Sequence, residues 1–243
     1  MKRAVIFDLG NTLVSYFTRE QWPAVLEEAI GGVADCLGQR GMLRVDAGDL
    51  PARVAAERGV GDLPPDIAAR RSQGDIHRVR PLEGRLARIF DLSPQEMEGE
   101  LAPELCRRFM KPIFATARRY DDALPTLAEL RLRGLLTAIL SNSPWGSPAE
   151  LWREELARHE LDTAVDAAVF CRDVGWRKPA PQGFAFLMDK LGVTAAECLF
   201  VGDDPRWDIA GPRAVGMDAV LIDRDGATGD AGAIRSLTEL LDS

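Results

Sequence analysis

Five short apolar runs set the pattern of the chain: Ala4 to Phe7, Leu135 to Leu140, Ala167 to Phe170, Leu199 to Val201 and Ala219 to Ile222. Continuous runs of this length, apolar at every position, suit strands buried on both faces of a parallel sheet. Between the later runs lie helical periodicities such as "ALPTLAELRLRG" and "PQGFAFLMDKLG", the second closed by Gly192 as a helix C-cap would be. This alternation predicts an α/β fold with a doubly wound, mostly parallel sheet. Residues 16–120 read differently. They are helical stretches broken by Gly and Pro clusters ("GGVADCLGQRG", "GVGDLPPD"), without a convincing strand. The expected organisation is therefore a core of residues 1–15 and 121–243 with an α-helical insertion at 16–120. No internal repeat or low-complexity tract interrupts it.

The polar residues able to do chemistry sit just past the ends of these strands. Asp8 follows the first, Ser141 and Asn142 the second, and Asp203 and Asp204 the fourth. In an open parallel sheet the carboxyl ends of the strands form the ligand crevice, so residues far apart in sequence are expected to converge there. Each has a structural alternative. An acid at a strand end commonly caps the next turn, and Asp203, Asp204 and Asp208 suit the start of a helix, where they complement its dipole.

Charge narrows the partners. The formal net charge is -8, and the excess of acid lies in residues 121–243, with 12 basic against 21 acidic side chains. A nucleic-acid binder would show the opposite bias, and some of these acids are candidate metal ligands. No window approaches a transmembrane span, and the apolar run ending at Phe7 is too short for a signal-peptide core. A cytoplasmic protein, monomeric or homodimeric, without nucleic-acid or membrane partners, is expected. Cys36, Cys106, Cys171 and Cys198 show no CxxC pairing, which fits reduced, buried thiols.

Taken together, the strand-end residues describe a phosphate-handling site. Magnesium is held by one or two carboxylates plus substrate phosphate oxygens and waters, a set that Asp8 and Asp203 would supply. Asp8 would then attack phosphorus as a carboxylate nucleophile. Lys178, stiffened in its loop by Pro179 and Pro181, would hold nucleophile and phosphoryl group together despite their like charges. Ser141 and Asn142, with Thr12 in the turn after Asp8, offer hydroxyl and amide donors for phosphate oxygens. An ordinary strand-to-loop turn uses the same residue types.

The segments "VIFDLGNTL", "AILSNS", "GWRKPAPQGF" and "LFVGDDPRWDIAGPRAVGMDAVLIDR" resemble, in order, the four motifs of the haloacid dehalogenase-like (HAD) hydrolases. The resemblance implies a Rossmann-like core with the helical block as a substrate-enclosing cap. It implies Asp8 as nucleophile, Ser141 as phosphate binder, Lys178 as charge clamp and Asp203 as magnesium ligand. Asp204 and Asp208 fall on the remaining acidic positions of the fourth motif, where metal binding or orientation of Lys178 is implied. The departure is Gly10, where most phosphatases of the family carry a second Asp that protonates the leaving oxygen and then activates water. The Gly10 carbonyl, the metal ligand implied at this position, is retained. The side-chain acid-base contribution, worth about 10² to 10⁴ in rate, is not.

The expected function is hydrolysis of a small phosphorylated metabolite through an aspartyl phosphate, with magnesium as cofactor. Two alternatives stand beside it. A 2-haloacid dehalogenase also lacks the second Asp but leaves the acidic pair of the fourth motif without a task. A catalytically impaired phosphate-binding protein would keep the fold without turnover. For the substrate the sequence offers only suggestions. Arg70, Arg71, Arg78, Arg80, Arg85 and Arg88 either draw anionic substrates or form a solvated helix face. Trp145 and Trp176 either line the pocket or pack beneath the helical block. His77 is a candidate acid or base.

Overall fold

The computed structural model describes residues 1–18, 20–58 and 75–242. The five apolar runs form one parallel sheet: β1 (Ala4–Phe7), β4 (Leu136–Ser141), β5 (Ala167–Phe170), β6 (Cys198–Gly202) and β7 (Asp218–Leu221), in the order β5-β4-β1-β6-β7. β1 lies at the centre, with Phe7 opposite Ile139 on one side and Val201 on the other. The chain builds outward from β1 to β5 and then returns to the other side of β1. The direction of winding therefore reverses beside Asp8, which places the crevice there.

Each strand is apolar on both sides because each side is covered. Val5, Phe7, Ile139 and Val201 belong to a core cluster shared with the helical block. Ala4, Ile6, Ala138, Leu140 and Phe200 belong to a second cluster, beneath the helix Pro181–Leu191. That helix ends at Gly192, whose φ of 64° is the left-handed cap conformation expected for it. Its Phe184 and Leu187 are fully buried, each worth about 1.5–3 kcal/mol of transfer from water.

The block after β1 is helical, with α1 (Trp22–Gln39), α2 (Leu50–Ala56), α3 (Leu82–Ile89) and α4 (Leu101–Ala115), α1 packing along α4. "GVGDLPPD" lies outside the described residues. The block is entered and left through a small ribbon absent from the sequence expectation: β2 (Val14–Ser15) pairs antiparallel with β3 (Arg118–Arg119). Two residues per strand, one of the strands entirely basic, leave no apolar periodicity to read. The longer helices of the remaining described chain are α5 (Ala123–Leu132), α6 (Ala149–Arg158) and α7 (Pro181–Leu191), with short helical turns at Cys171–Val174 and Gly211–Ala214. No helix among the described residues is long and apolar enough to cross a membrane. All four cysteines are free and buried.

Candidate active site

β1, β4 and β6 run parallel, with Phe7 opposite Ile139 and Val201, so Asp8, Ser141 and Asp203 emerge on one edge, with Asp8 N donating to Val201 O at 2.9 Å. They line a cavity of about 640 Å³ between the strand ends and the helical block. At its floor, carboxylate oxygens of Asp8, Asp203 and Asp208 lie within 4.8 Å of one another. The Lys178 ammonium donates to Asp8 Oδ1 at 2.6 Å and to Asp208 Oδ1 at 2.7 Å. Asn11, whose left-handed φ of 54° turns the chain after the strand, extends Nδ2 to within 3.4 Å of Asp203 Oδ2.

The electrostatics of this cluster are unbalanced. Burial by itself would lower the Lys178 ammonium, but Asp208 and Asp8 outweigh it and hold Lys178 above its ordinary range. Burial pushes the Asp203 carboxyl up to about 8, helped by the charges of Asp8 and Asp208. Burial likewise pushes Asp208 up to about 7, against the pull of Lys178. Three carboxylates around one ammonium leave excess negative charge in a desolvated site, which a divalent cation with oxygen ligands would neutralise. The donor set fits magnesium: hard carboxylate oxygens beside an open cavity with room for waters and a phosphate.

Several expected residues take other positions. Asp204, expected as a metal ligand, is outside the cluster. It caps the following turn, accepting from Arg206 N at 2.8 Å and Trp207 N at 3.3 Å, and pairs with the Arg206 guanidinium at 3.2 Å. Pro205–Ala210 winds as a π-helical turn, and this brings Asp208 back to the carboxylates in its place. Thr12, expected to bind phosphate, is fully buried and absent from the cavity wall. Its hydroxyl has no partner among the described residues, and its carbonyl accepts from Arg224 Nη2 at 2.6 Å. Asn142 was expected as a phosphate donor, but its amide clips the lysine loop. Its Oδ1 accepts from Lys178 N at 2.8 Å and its Nδ2 donates to Lys178 O at 3.2 Å. A planar amide matches the N–H and C=O of one residue, and that pairing fixes the backbone behind the ammonium. Ser141 and Gly10 line the cavity, and so do Asn142 and Asp204 alongside the bonds just described.

The described arginines of the run are absent from the cavity wall; Arg78, Arg80 and Arg88 are exposed, as a solvated face would be, and Arg85 is buried. Arg80 and Arg88 converge on the carboxylate of buried Glu57 at 2.5 and 2.7 Å, while Arg85 donates to its carbonyl at 2.6 Å. Arg88, opposed by burial, holds the Glu57 carboxyl below its ordinary range. Arg70 and Arg71 lie outside the described residues. Trp145 lines the cavity and also packs against Phe109 of α4, ring centroids 5.5 Å apart. Trp176 faces Arg78, whose guanidinium sits 5.2 Å from its ring centroid. His77 is outside the cavity wall; its carbonyl accepts from Arg177 N at 2.8 Å, and burial and then the Arg177 charge hold its imidazole below the ordinary value.

Residues the sequence did not single out complete the wall: Tyr16, Phe17, Trp22, Arg177 and Trp207. "RK" in "GWRKPAP" was a signal for Arg177, overshadowed by its neighbour. The aromatic residues near Trp22 carried no periodicity that separates a cavity wall from a core.

A family model described as haloacid dehalogenase-like hydrolase matches residues 2–216. Phosphatase MT3486 of Mycobacterium tuberculosis (strain CDC 1551 / Oshkosh) is 37% identical over 126 residues, 52% of this chain and 56% of that protein. (S)-2-haloacid dehalogenase 1 of Pseudomonas sp. (strain CBS-3) is 30% identical over 151 residues, 60% of this chain and 64% of that protein. These alignments thus span little more than half the length of the curated relatives. The crystal structure of a HAD phosphatase from Thermococcus onnurineus aligns over 100% of this chain and 97% of its own, with a TM-score of 0.63 and 27% identity.

Proposed function

The chain belongs to the haloacid dehalogenase-like hydrolases, and we propose that it is a magnesium-dependent phosphomonoester hydrolase that works through an aspartyl phosphate at Asp8. The observation that carries this reading is the cluster of Asp8, Asp203 and Asp208 around a single lysine. A dehalogenase attacking a neutral carbon has no use for that surplus of carboxylate; a metal and a phosphate do.

In this reading Asp8, Asp203 and the Gly10 carbonyl hold the metal, which supplies charge neutralisation at the phosphate. Asp208 acts chiefly through Lys178, fixing the ammonium beside the Asp8 carboxylate. Ser141 donates to a phosphate oxygen. An Asp8 oxygen forms the new bond to phosphorus while the bond to the ester oxygen breaks, and water later hydrolyses the acyl phosphate and regenerates the carboxylate. Lys178 shields the nucleophile from the like charge of the phosphate. The cap, residues 16–120, closes over the cavity and contributes Tyr16, Phe17 and Trp22 to its wall. The substrate is a small phosphorylated metabolite, and the protein works in the cytoplasm.

The test is release of phosphate from p-nitrophenyl phosphate with magnesium and with chelator, run beside release of chloride from 2-chloropropionate. Magnesium-dependent phosphate release that Asp8→Asn lowers by at least about a thousandfold is expected. Chloride release that persists in chelator would establish the dehalogenase instead, and phosphate binding with neither product would establish the impaired protein.

A further inference from the structure

Among the described residues three cationic side chains line the cavity: Lys178, Arg224 and Arg177. Two are neutralised within the protein. Lys178 is shared between Asp8 and Asp208, and Arg224 makes a two-pronged pair with Asp122, both contacts 3.0 Å, while its Nη2 also donates to Thr12 O. Arg177 differs. Among the described residues its side chain has one partner, the Ser143 carbonyl, 3.2 Å from Nη1. A guanidinium carries five N–H donors in a flat fork suited to oxyanions, so most of this one's donors have no acceptor among the described residues.

The backbone that carries the guanidinium is held in place. The Arg177 N–H donates to His77 O at 2.8 Å and its carbonyl accepts from Ala180 N at 3.0 Å. The preceding Gly175 carbonyl accepts from Val79 N at 2.9 Å, so the loop is tied to the helical block on one side and to Asn142, through Lys178, on the other. Its Cα is one peptide step, about 3.8 Å, from that of Lys178, whose ammonium touches Asp8. The Ser143 anchor is two residues past Ser141. Two further acids of the wall have partners of their own: Asp204 with Arg206, and Asp223 with the Ala227 and Thr228 main-chain N–H groups at 3.0 Å.

We propose that Arg177 receives a second anionic group on the substrate, so that the phosphate esters this cavity takes carry an oxyanion, a carboxylate or a further phosphate, on the leaving group. This rests on the reading of the cavity as a phosphomonoester site. The second oxyanion supplies the acceptors that the fork lacks, and pairing with it orients the ester bond over Asp8. Charge-assisted bonds to a positioned guanidinium separate anionic from neutral esters by roughly tenfold to a hundredfold.

The experiment compares ethyl phosphate, 2-phosphoglycolate and ethylene glycol bisphosphate with magnesium present. Turnover is measured in the wild type, Arg177→Met and Arg177→Lys. Binding is measured by calorimetry in Asp8→Asn and in Asp8→Asn combined with Arg177→Met. Expected are a wild-type preference of at least about tenfold in kcat/KM for one or both of the esters with a second anionic group, carried mainly in KM, and a matching ratio of Kd values in Asp8→Asn. Arg177→Met should bring both ratios close to one, with Arg177→Lys between. The carboxylate and bisphosphate arms tell which oxyanion is preferred. Ratios near one in the wild type, or ratios that Arg177→Met leaves unchanged, overturn the proposal. A Kd preference that depends on Arg177, in a protein that turns over none of the esters, would instead sink the hydrolase reading and leave the anion site standing.

Discussion

The Lys178 ammonium lies 2.6 Å from the Asp8 carboxylate across 170 residues of sequence, and both are buried. The second partner of the lysine, Asp208 at 2.7 Å, is buried as well. An ion pair of this kind is weak as a source of stability but costly to break, because the partner left behind is a desolvated charge.

Lys178→Met should therefore destabilise the metal-free protein by about 3–5 kcal/mol. The loss should be partly recovered by magnesium, which takes over the neutralisation of Asp8 and Asp208. Thermal unfolding with magnesium and with chelator checks this. A magnesium-induced rise in Tm no larger in the variant than in the wild type would show that cation and lysine do not share the same carboxylates.

The raised carboxyls of Asp203 and Asp208, up to about 8 and about 7, make a statement about pH. A carboxyl whose folded pKa exceeds its unfolded value, about 3.9 for Asp, binds more protons in the native state between the two values. The metal-free protein should accordingly lose stability as pH rises from about 4 towards about 8. Magnesium displaces those protons, so its stabilising effect should grow over the same interval. Tm measured at pH 5, 6.5 and 8 with and without magnesium tests the sign, and a magnesium shift that is flat or shrinking with pH would contradict it.

Gly10 leaves room for a side chain. A Cβ built there meets only Tyr16 Cδ2 at 3.8 Å and Asp8 Oδ2 at 4.0 Å, ordinary contact distances. Gly10→Asp should fold normally and place a carboxylic acid beside the leaving oxygen. The wild type, without that acid, should favour aryl over alkyl phosphates and show a burst of phenol before slower steady turnover. The variant should reduce the burst and narrow the aryl-to-alkyl gap by about tenfold or more. A wild type with no burst and equal rates on both classes would mean that another group already provides the proton.

At Gly202 the reverse holds. A Cβ there would stand 2.5 Å from Asp208 Cβ, Cγ and Oδ2, inside van der Waals contact. Asp208 is short and buried, so it has no free direction in which to move. Gly202→Ala should displace it from Lys178, costing about 1–3 kcal/mol of stability and at least about tenfold in kcat, with weaker magnesium dependence. Unchanged kinetics would indicate that Asp208 is dispensable for positioning the ammonium.

How much was legible differs between layers. The parallel sheet was written in the five apolar runs, because strands covered on both faces must be apolar at every position, and no other element of that length needs this. The strand-end acids followed from the same reasoning, since a parallel sheet gathers its carboxyl ends in one crevice wherever the residues lie in the chain. The gathering of Asp8, Ser141 and Asp203 on one edge was legible for that reason; Lys178, eight residues past its strand, stood out instead by the prolines that stiffen its loop.

Which acid completes the cluster was not. "DDPRWD" offers Asp203, Asp204 and Asp208 within six residues, and the sequence cannot choose between a cap and a ligand. The π-helical turn of Pro205–Ala210 made that choice, spending Asp204 on the main-chain N–H groups of Arg206 and Trp207 and carrying Asp208 inward to Lys178. Asn142 was decided the same way, its amide taken up by the main chain of Lys178. Whether a polar side chain faces a ligand or its own backbone depends on which unpaired N–H and C=O groups the fold brings near it. The sequence determined the sheet and the edge where chemistry gathers. Only the tertiary structure decided which polar groups remained free of the protein's own hydrogen bonds, because partners such as Asn142 for Lys178 and Asp122 for Arg224 come from segments that meet only in the folded chain.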